Sequence, residues 1–225
     1  MNELMDSVKD ISGLAPAVEH PESALVSVER QNAPRLGAWK RFWGHLGTIT
    51  RHKLMVGKLC FRAGLIRQGL THDLSKYAPS EFWRGVHYYQ GWRSPNAAER
   101  DERGFSTAWL HHKGRNRHHF EYWNDLKRVP TANGSELVWS PFPMPTRFVV
   151  EMFCDRIAAS KVYLKDAYTD ASPLQYFRRE AGAQPSLMDP ETYALIEELL
   201  VILAEQGEEA AFAHARKVLK DSRRA

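Results

Sequence analysis

The chain has 225 residues, enough for one domain with a sizeable core. Its formal net charge of +4 falls short of a nucleic-acid-binding signature and leaves only a mild preference for anionic small molecules. Two cysteines, Cys60 and Cys154, argue against a disulfide framework or a Cys-x-x-Cys zinc knuckle, and no segment reads as a signal peptide or an apolar span of about 18 residues, so a cytoplasmic protein without a membrane segment is expected.

Residues 1–36 are mixed in character and read as an N-terminal arm, with a short helix possible over Ser7 to Leu14. The main domain, 37–225, opens with a helical pattern from Ala38 to Ala63: Trp39, Phe42, Leu46, Ile49, Val56 and Leu59 recur at three- and four-residue steps, and Gly64 suits a C-cap. After the short segment holding His72-Asp73, Pro79-Ser80-Glu81 opens another helix through Tyr89. Gly91 to Gly104 is polar and reads as a loop. Phe105, Ala108, Trp109 and His112 then mark one helical face, and after a turn at Lys113-Gly114-Arg115 the positions His119, Tyr122, Trp123 and Leu126 repeat that spacing.

Val129 to Pro145 reads as a long irregular connection, in which Glu136-Leu-Val-Trp is a weak strand pattern. A strong helix follows from about Pro145 to Asp166, then a loop from Asp170 to Asp189. Two helices from Pro190, split at Gly207, complete the chain. Their apolar faces close the domain or meet a second subunit, which makes a homo-oligomer possible. The pattern predicts an all-α protein.

Seven of the ten histidines fall between positions 52 and 119, and four form the doublets His111-His112 and His118-His119, seven positions apart. Imidazole and carboxylate together form a ligand set suited to divalent metals. His52 lies on the apolar stripe of its helix, where it is either a ligand or a core histidine. His72-Asp73 supplies two ligand types from adjacent residues; on a helix they would diverge by about 100°, so they serve two metals or clamp one from a distorted turn. His112 and His119 fall on the inward faces of their predicted helices. The register leaves all four doublet residues as candidates, and a basic cluster with Lys113, Arg115 and Arg117 is the alternative. His87 reads as structural.

Asp155 sits among Phe148, Val149, Met152, Phe153, Ile157 and Ala158, where an unpartnered carboxylate would be costly, so a metal or a cation such as Arg156 should meet it. Glu151, one turn earlier, can accept from a ligating imidazole. The candidate metal ligands are therefore His52, His72, Asp73, His111, His112, His118, His119 and Asp155.

The order His52 … His72-Asp73 … His112 … His118 or His119 … Asp155 resembles the HD-domain superfamily over about residues 40–167, and Leu74-Ser75-Lys76 strengthens the likeness, although many such proteins carry Gly at the position of Ser75. The segments His112-x-x-x-Asn116-x-His118-His119-x-Glu121 and Glu151-Met-Phe-Cys-Asp155 look like an HD-like family of bacteria and phages without a settled activity. The resemblance implies an HD-like helical bundle holding one or two divalent ions (Fe, Mn, Zn, Ni or Co). It implies a phosphohydrolase acting on a phosphoester or nucleotide.

On that reading Asp73 is central to the chemistry, Lys76 meets an anionic substrate, Glu121 can protonate the leaving oxygen, and Arg115, Asn116 and Arg117 contact the substrate. A branch of the superfamily uses the same ligands to hold two irons that activate dioxygen, so an oxygenase is the second reading. A metal-stabilised binding module without turnover is the third.

Overall fold

The computed structural model describes residues 36–183 and 187–224; the arm and its possible helix at Ser7 to Leu14 lie outside them, apart from Leu36. Eight helices dominate: α1 (Ala38–Ala63), α2 (Ile66–Thr71), α3 (Pro79–Tyr88), α4 (Pro95–Arg103), α5 (Thr107–Lys113), α6 (Thr146–Leu164), α7 (Ser172–Ala183) and α8 (Pro190–Asp221).

The core forms where α1, α6 and α8 meet. On α1 the buried residues His45, Ile49, His52, Val56, Leu59, Cys60 and Ala63 follow three- and four-residue steps, so one stripe carries both apolar packing and histidines. Gly64, at φ 84°, ends α1 as a left-handed C-cap. Helix α6 is buried over most of its length, and Val149, Val150, Phe153, Cys154 and Ile157 have no exposed surface. Ile196, Leu199, Leu200, Leu203 and Phe212 of α8 and Phe177 of α7 cover it. The C-terminal helices thus close the domain. Helix α8 is broken at Gly207, whose φ of 81° and ψ of 177° are not helical.

Three departures from the sequence expectation have simple causes. The expected loop from Gly91 to Gly104 contains α4, capped by Ser94 and Gly104. It buries only Ala98 and Glu99, so no apolar stripe announces it. The expected loop from Asp170 to Asp189 likewise contains α7.

The third departure corrects the all-α expectation. Residues Asn124–Thr131 (β1) and Gly134–Pro141 (β2) form an antiparallel hairpin, with Leu126 opposite Trp139 and Thr131 opposite Gly134. The spacing that continued a helix to Leu126 holds only for a 3-10 turn at Phe120–Trp123. Both strands are largely exposed, so neither shows the full alternation of a half-buried strand, and only the weak pattern from Glu136 to Trp139 marks β2. The hairpin is tied down at its base: Phe142 N–H donates to Trp123 O (2.7 Å), and Asn124 Nδ2 donates to Phe120 O and Leu187 O. No described helix is long and apolar enough to cross a membrane.

Candidate metal centre

Four segments bring the ligand-type side chains together. His52 comes from the buried stripe of α1. His72 and Asp73 come from the break between α2 and a 3-10 turn, Leu74–Tyr77, where Asp73 takes the left-handed conformation at φ 54°. That break is the distorted turn that lets adjacent side chains converge. Lys53 holds it from α1, donating to Leu70 O (2.8 Å) and His72 O (3.0 Å). The α1–α2 contact is close because Gly57 meets Gly69: a Cβ on Gly69 would lie 3.0 Å from the Gly57 carbonyl oxygen.

His112 faces inward from the last turn of α5. His118 and His119 follow in the irregular segment after it, and His119 has extended backbone. Asp155 and Glu151 face the cluster from α6.

Asp73 is the centre of the array. Its Oδ2 lies 3.3 Å from His72 Nε2 and 3.7 Å from His52 Nε2, and Asp155 Oδ1 completes this side at 2.9 Å from His52 Nε2 and 3.5 Å from His72 Nε2. Its Oδ1 lies 3.2 Å from His112 Nε2 and 3.5 Å from His118 Nε2. Two groups able to hold a metal ion therefore share one carboxylate: His52, His72, Asp73 and Asp155, and Asp73, His112, His118 and His119. A third grouping, His72, His118 and Glu151, also has metal-compatible spacing. Its contacts use the imidazole Nδ1 atoms, on the far side of each ring, so it is better described as a hydrogen-bonded support.

The atoms facing the shared space are buried and poorly satisfied. The Nε2 atoms of His52, His72, His112, His118 and His119 and both Asp73 oxygens find no aligned hydrogen-bond partner among the described residues. Each such group would cost about 1–3 kcal/mol if nothing met it. Converging imidazole lone pairs and carboxylate oxygens suit a divalent cation, so the donor set fits a metal.

The opposite ring atoms are held. Glu151 Oε1 accepts from His72 Nδ1 at 3.0 Å and lies 3.3 Å from His118 Nδ1. Glu81 Oε2 accepts from His112 Nδ1 at 2.8 Å. With Nδ1–H directed at a carboxylate, Nε2 is the ring atom that faces the cluster, where a metal would take the place of a proton.

Electrostatics follow from crowding. Burial alone would raise the Asp73 carboxyl, but His72, Lys76 and His112 outweigh it and hold it well below the usual range. Asp155 is lowered in the same way by His52 and His72. Burial opposes charge on His72 as well, yet the surrounding carboxylates, Asp73 foremost, raise its pKa well above the ordinary value. His119 moves the other way, lowered by burial and then by His118 and His112, and so stays neutral.

Asp155 and Lys76 mark the open side. Their side chains are 17% and 29% exposed, whereas those of His72, Asp73, His112 and His118 are at most 2%. Lys76 Nζ lies 2.6 Å from Asp73 Oδ2, and although burial alone would lower its pKa, Asp73 and then Asp155 outweigh that and keep it charged.

The remaining sequence candidates fall outside the two groups able to hold a metal ion. His111 is turned out of the cluster: its Nδ1 contacts Glu81, and its Nε2 lies 3.1 Å from Ser80 Oγ and accepts from Arg115 Nε at 2.7 Å. Arg115 is thus occupied at an exposed position, and Arg117 stacks over Tyr122 at the surface. Asn116 acts on the protein, with Nδ2 donating to Ser75 Oγ (2.8 Å) and His112 O (2.8 Å). Glu121 is raised by burial, with Glu180 adding to the rise against Lys113 and Arg156, and its Oε2 is buried without a hydrogen-bond partner among the described residues. His87 is exposed; its carbonyl accepts from Arg41 and its ring lies edge-on to Tyr88.

Glu81 and Ser75 are the residues that sequence reasoning passed over. Glu81 looks like an ordinary first-turn acid of α3, and only the packing of α3 on α5 makes it the partner of two histidines.

A model of a family of unknown function, DUF5662, matches residues 41–202, from α1 to within α8, and spans every residue of the cluster. The chain belongs to this family. No curated protein and no solved structure matches it.

Proposed function

We propose that this DUF5662 member is a metal-dependent phosphohydrolase of the HD-domain type, acting on a small phosphate ester through a pair of divalent ions. The carrying observation is that the two oxygens of the buried Asp73 face two different imidazole sets, Oδ2 toward His52 and His72 and Oδ1 toward His112 and His118. Asp73 would serve both cation positions. His52, His72 and Asp155 would complete one position; His112, His118 and His119 would complete the other.

Two bound cations supply an acidified water and charge neutralisation for in-line attack at phosphorus. The chain itself supplies orientation, binding and charge. Glu151 and Glu81 fix the rings of His72, His118 and His112. Lys76 stands at the open side, with one ammonium N–H near Asp73 and two left to meet a phosphate oxygen. Asp155, with 17% of its side chain exposed, stands at the mouth beside Lys76.

The test is metal analysis of protein purified without added metal, followed by phosphate release from a panel of nucleotides and sugar phosphates with Mn, Fe, Co, Ni or Zn. Two ions per chain and phosphate release that Lys76→Met lowers about a hundredfold are expected. Full metal occupancy without release from any panel member would overturn the hydrolytic reading. Two irons with near-ultraviolet charge-transfer absorption and oxidation of a panel member in air would favour an oxygenase.

A further inference from the structure

A cavity leads away from Lys76 and His112 between α1 and α3, and the segment from Tyr89 to Asn96 closes it. Two of its walls are cut to shape by glycine. A Cβ on Gly85 would lie 2.2 Å from His45 Nε2, and a Cβ on Gly44 would lie 2.4 Å from the Tyr89 ring. His45 therefore rests directly on the backbone of α3, and Tyr89 on that of α1. Both rings line the cavity, and a residue larger than glycine at either position would displace the ring it supports.

The groups so placed are neutral. Burial, and then the charge of Lys76, lowers His45 to about 4, so its imidazole offers one donor and one acceptor near pH 7. Thr48 Oγ1 donates to Gly44 O at 2.9 Å and lies 3.3 Å from Tyr89 Oη. The Thr48 proton is directed at the carbonyl, so Tyr89 donates to Thr48 and both oxygens retain lone pairs. The charges nearby are compensated. Arg93 is paired with Asp101 and Gln90, and Glu81 is turned onto His111 and His112. Ile49, Pro95 and Ala108 supply the apolar part of the lining.

An alkyl group entering this cavity would meet the apolar part of the lining but leave the polar atoms of His45, Thr48 and Tyr89 without the hydrogen bonds that water gives them, which is costly. A second charged group would find no uncompensated partner. Hydroxyl groups, which donate and accept, match the lining.

We infer that this cavity recognises the hydroxyl-bearing organic part of the ester, so that the substrate class is the phosphate monoesters of small polyols or sugars, with the phosphate at Lys76 and the ligand cluster. The inference rests on the phosphohydrolase reading and adds to it the identity of the alcohol.

Two non-hydrolysable probes of equal charge and chain length separate the two claims: 2,3-dihydroxypropylphosphonate and propylphosphonate, titrated calorimetrically into the manganese-loaded protein. The dihydroxy compound should bind roughly tenfold more tightly, as expected for two added hydrogen-bonding groups. Thr48→Val and Tyr89→Phe should each bring that ratio toward one. Because both probes are measured on the same variant, the ratio is insensitive to partial misfolding. Equal binding of the two probes by the unaltered chain would overturn the inference and leave the phosphoester reading standing. A ratio unchanged by both variants would likewise overturn it. Failure of both probes to bind the loaded protein would overturn the two together.

Discussion

Glu151 Oε1 lies 3.0 Å from His72 Nδ1, and the same oxygen lies 3.3 Å from His118 Nδ1. One carboxylate on α6 thus sets the orientation of an imidazole in each ligand group, whereas Glu81 holds His112 in one group alone. This asymmetry predicts two different defects. Glu151→Gln should weaken both metal equivalents, by about 10–100-fold each, the usual cost of losing a group that orients a ligating histidine. Glu81→Gln should weaken one equivalent by a similar factor and leave the other in place. Titration of the metal-free protein with Co(II), followed by absorbance and by ions bound per chain, reads both.

Asp73 offers a sharper test because its backbone and its side chain can be separated. Its left-handed φ of 54° is tolerated by asparagine, so Asp73→Asn keeps the turn and the shape of the side chain while removing the charge. Metal content should fall from two ions per chain to less than one tenth of that, with the helical circular-dichroism signal retained. Retention of two ions in this variant would sink the bridging assignment.

What was legible in the sequence depended on which signal each element carries. Helices α1, α6 and α8 announce themselves because they bury apolar residues at helical spacing. Helix α4 buries little beyond Ala98 and the carboxylate of Glu99, so periodicity is silent there, although its Ser94 and Gly104 caps were in plain view. The hairpin turns at Ala132-Asn133 before Gly134, a favourable turn sequence, but its exposed strands carry Lys127, Arg128 and Pro130 and lack alternation.

At the site, the residue types and chain order of the clustered side chains could be read from sequence, and their orientation could not. His118 and His119 both offer Nε2 to the cluster because the backbone there is not helical, so the one-face rule of a helix does not apply to them. For His111 and His112 that rule does apply, and it turns His111 away.

The doublets therefore make a clean comparison. His112→Ala removes an imidazole 3.2 Å from Asp73 Oδ1 and should lower stoichiometry toward one ion per chain. His111→Ala removes a ring held by Glu81, Ser80 and Arg115 at the edge of the site, and two ions should remain. Metal analysis after exhaustive dialysis distinguishes them. Loss of an ion from the His111 variant would show that the outer member ligates.

A buried acid away from the ligands controls the position of α5. Glu99 is 1% exposed and accepts from Ser106 Oγ (2.7 Å), Thr107 Oγ1 (2.6 Å) and Ala108 N–H (3.4 Å), closing the N-terminus of the helix that carries His112. Glu99→Ala leaves those donors without their acceptor in a dry site and should cost about 2–3 kcal/mol in urea unfolding. Metal affinity should fall with it, because His112 rides on that helix.

The pH dependence of stability should have one clear contributor at the junction of α1, α6 and α8. Glu208, just past the break at Gly207, receives Arg62 from α1 and Lys161 from α6. Burial alone would raise its carboxyl, but the hydrogen bonds and charges of Lys161 and Arg62 outweigh it and hold the pKa below its ordinary value. A carboxyl lowered in the folded state contributes stability that is fully present above the unfolded value of about 4.3 and is lost as pH falls through the folded value. Glu208→Gln should therefore destabilise the protein by about 1 kcal/mol at pH 7, a figure kept small because both cations are partly exposed and screened. The difference between variant and parent should shrink between pH 7 and an acid pH below the lowered folded value. Urea unfolding of both proteins at the two pH values measures it; an undiminished difference at low pH would assign the role of Glu208 to packing and hydrogen-bond shape, with its charge contributing nothing.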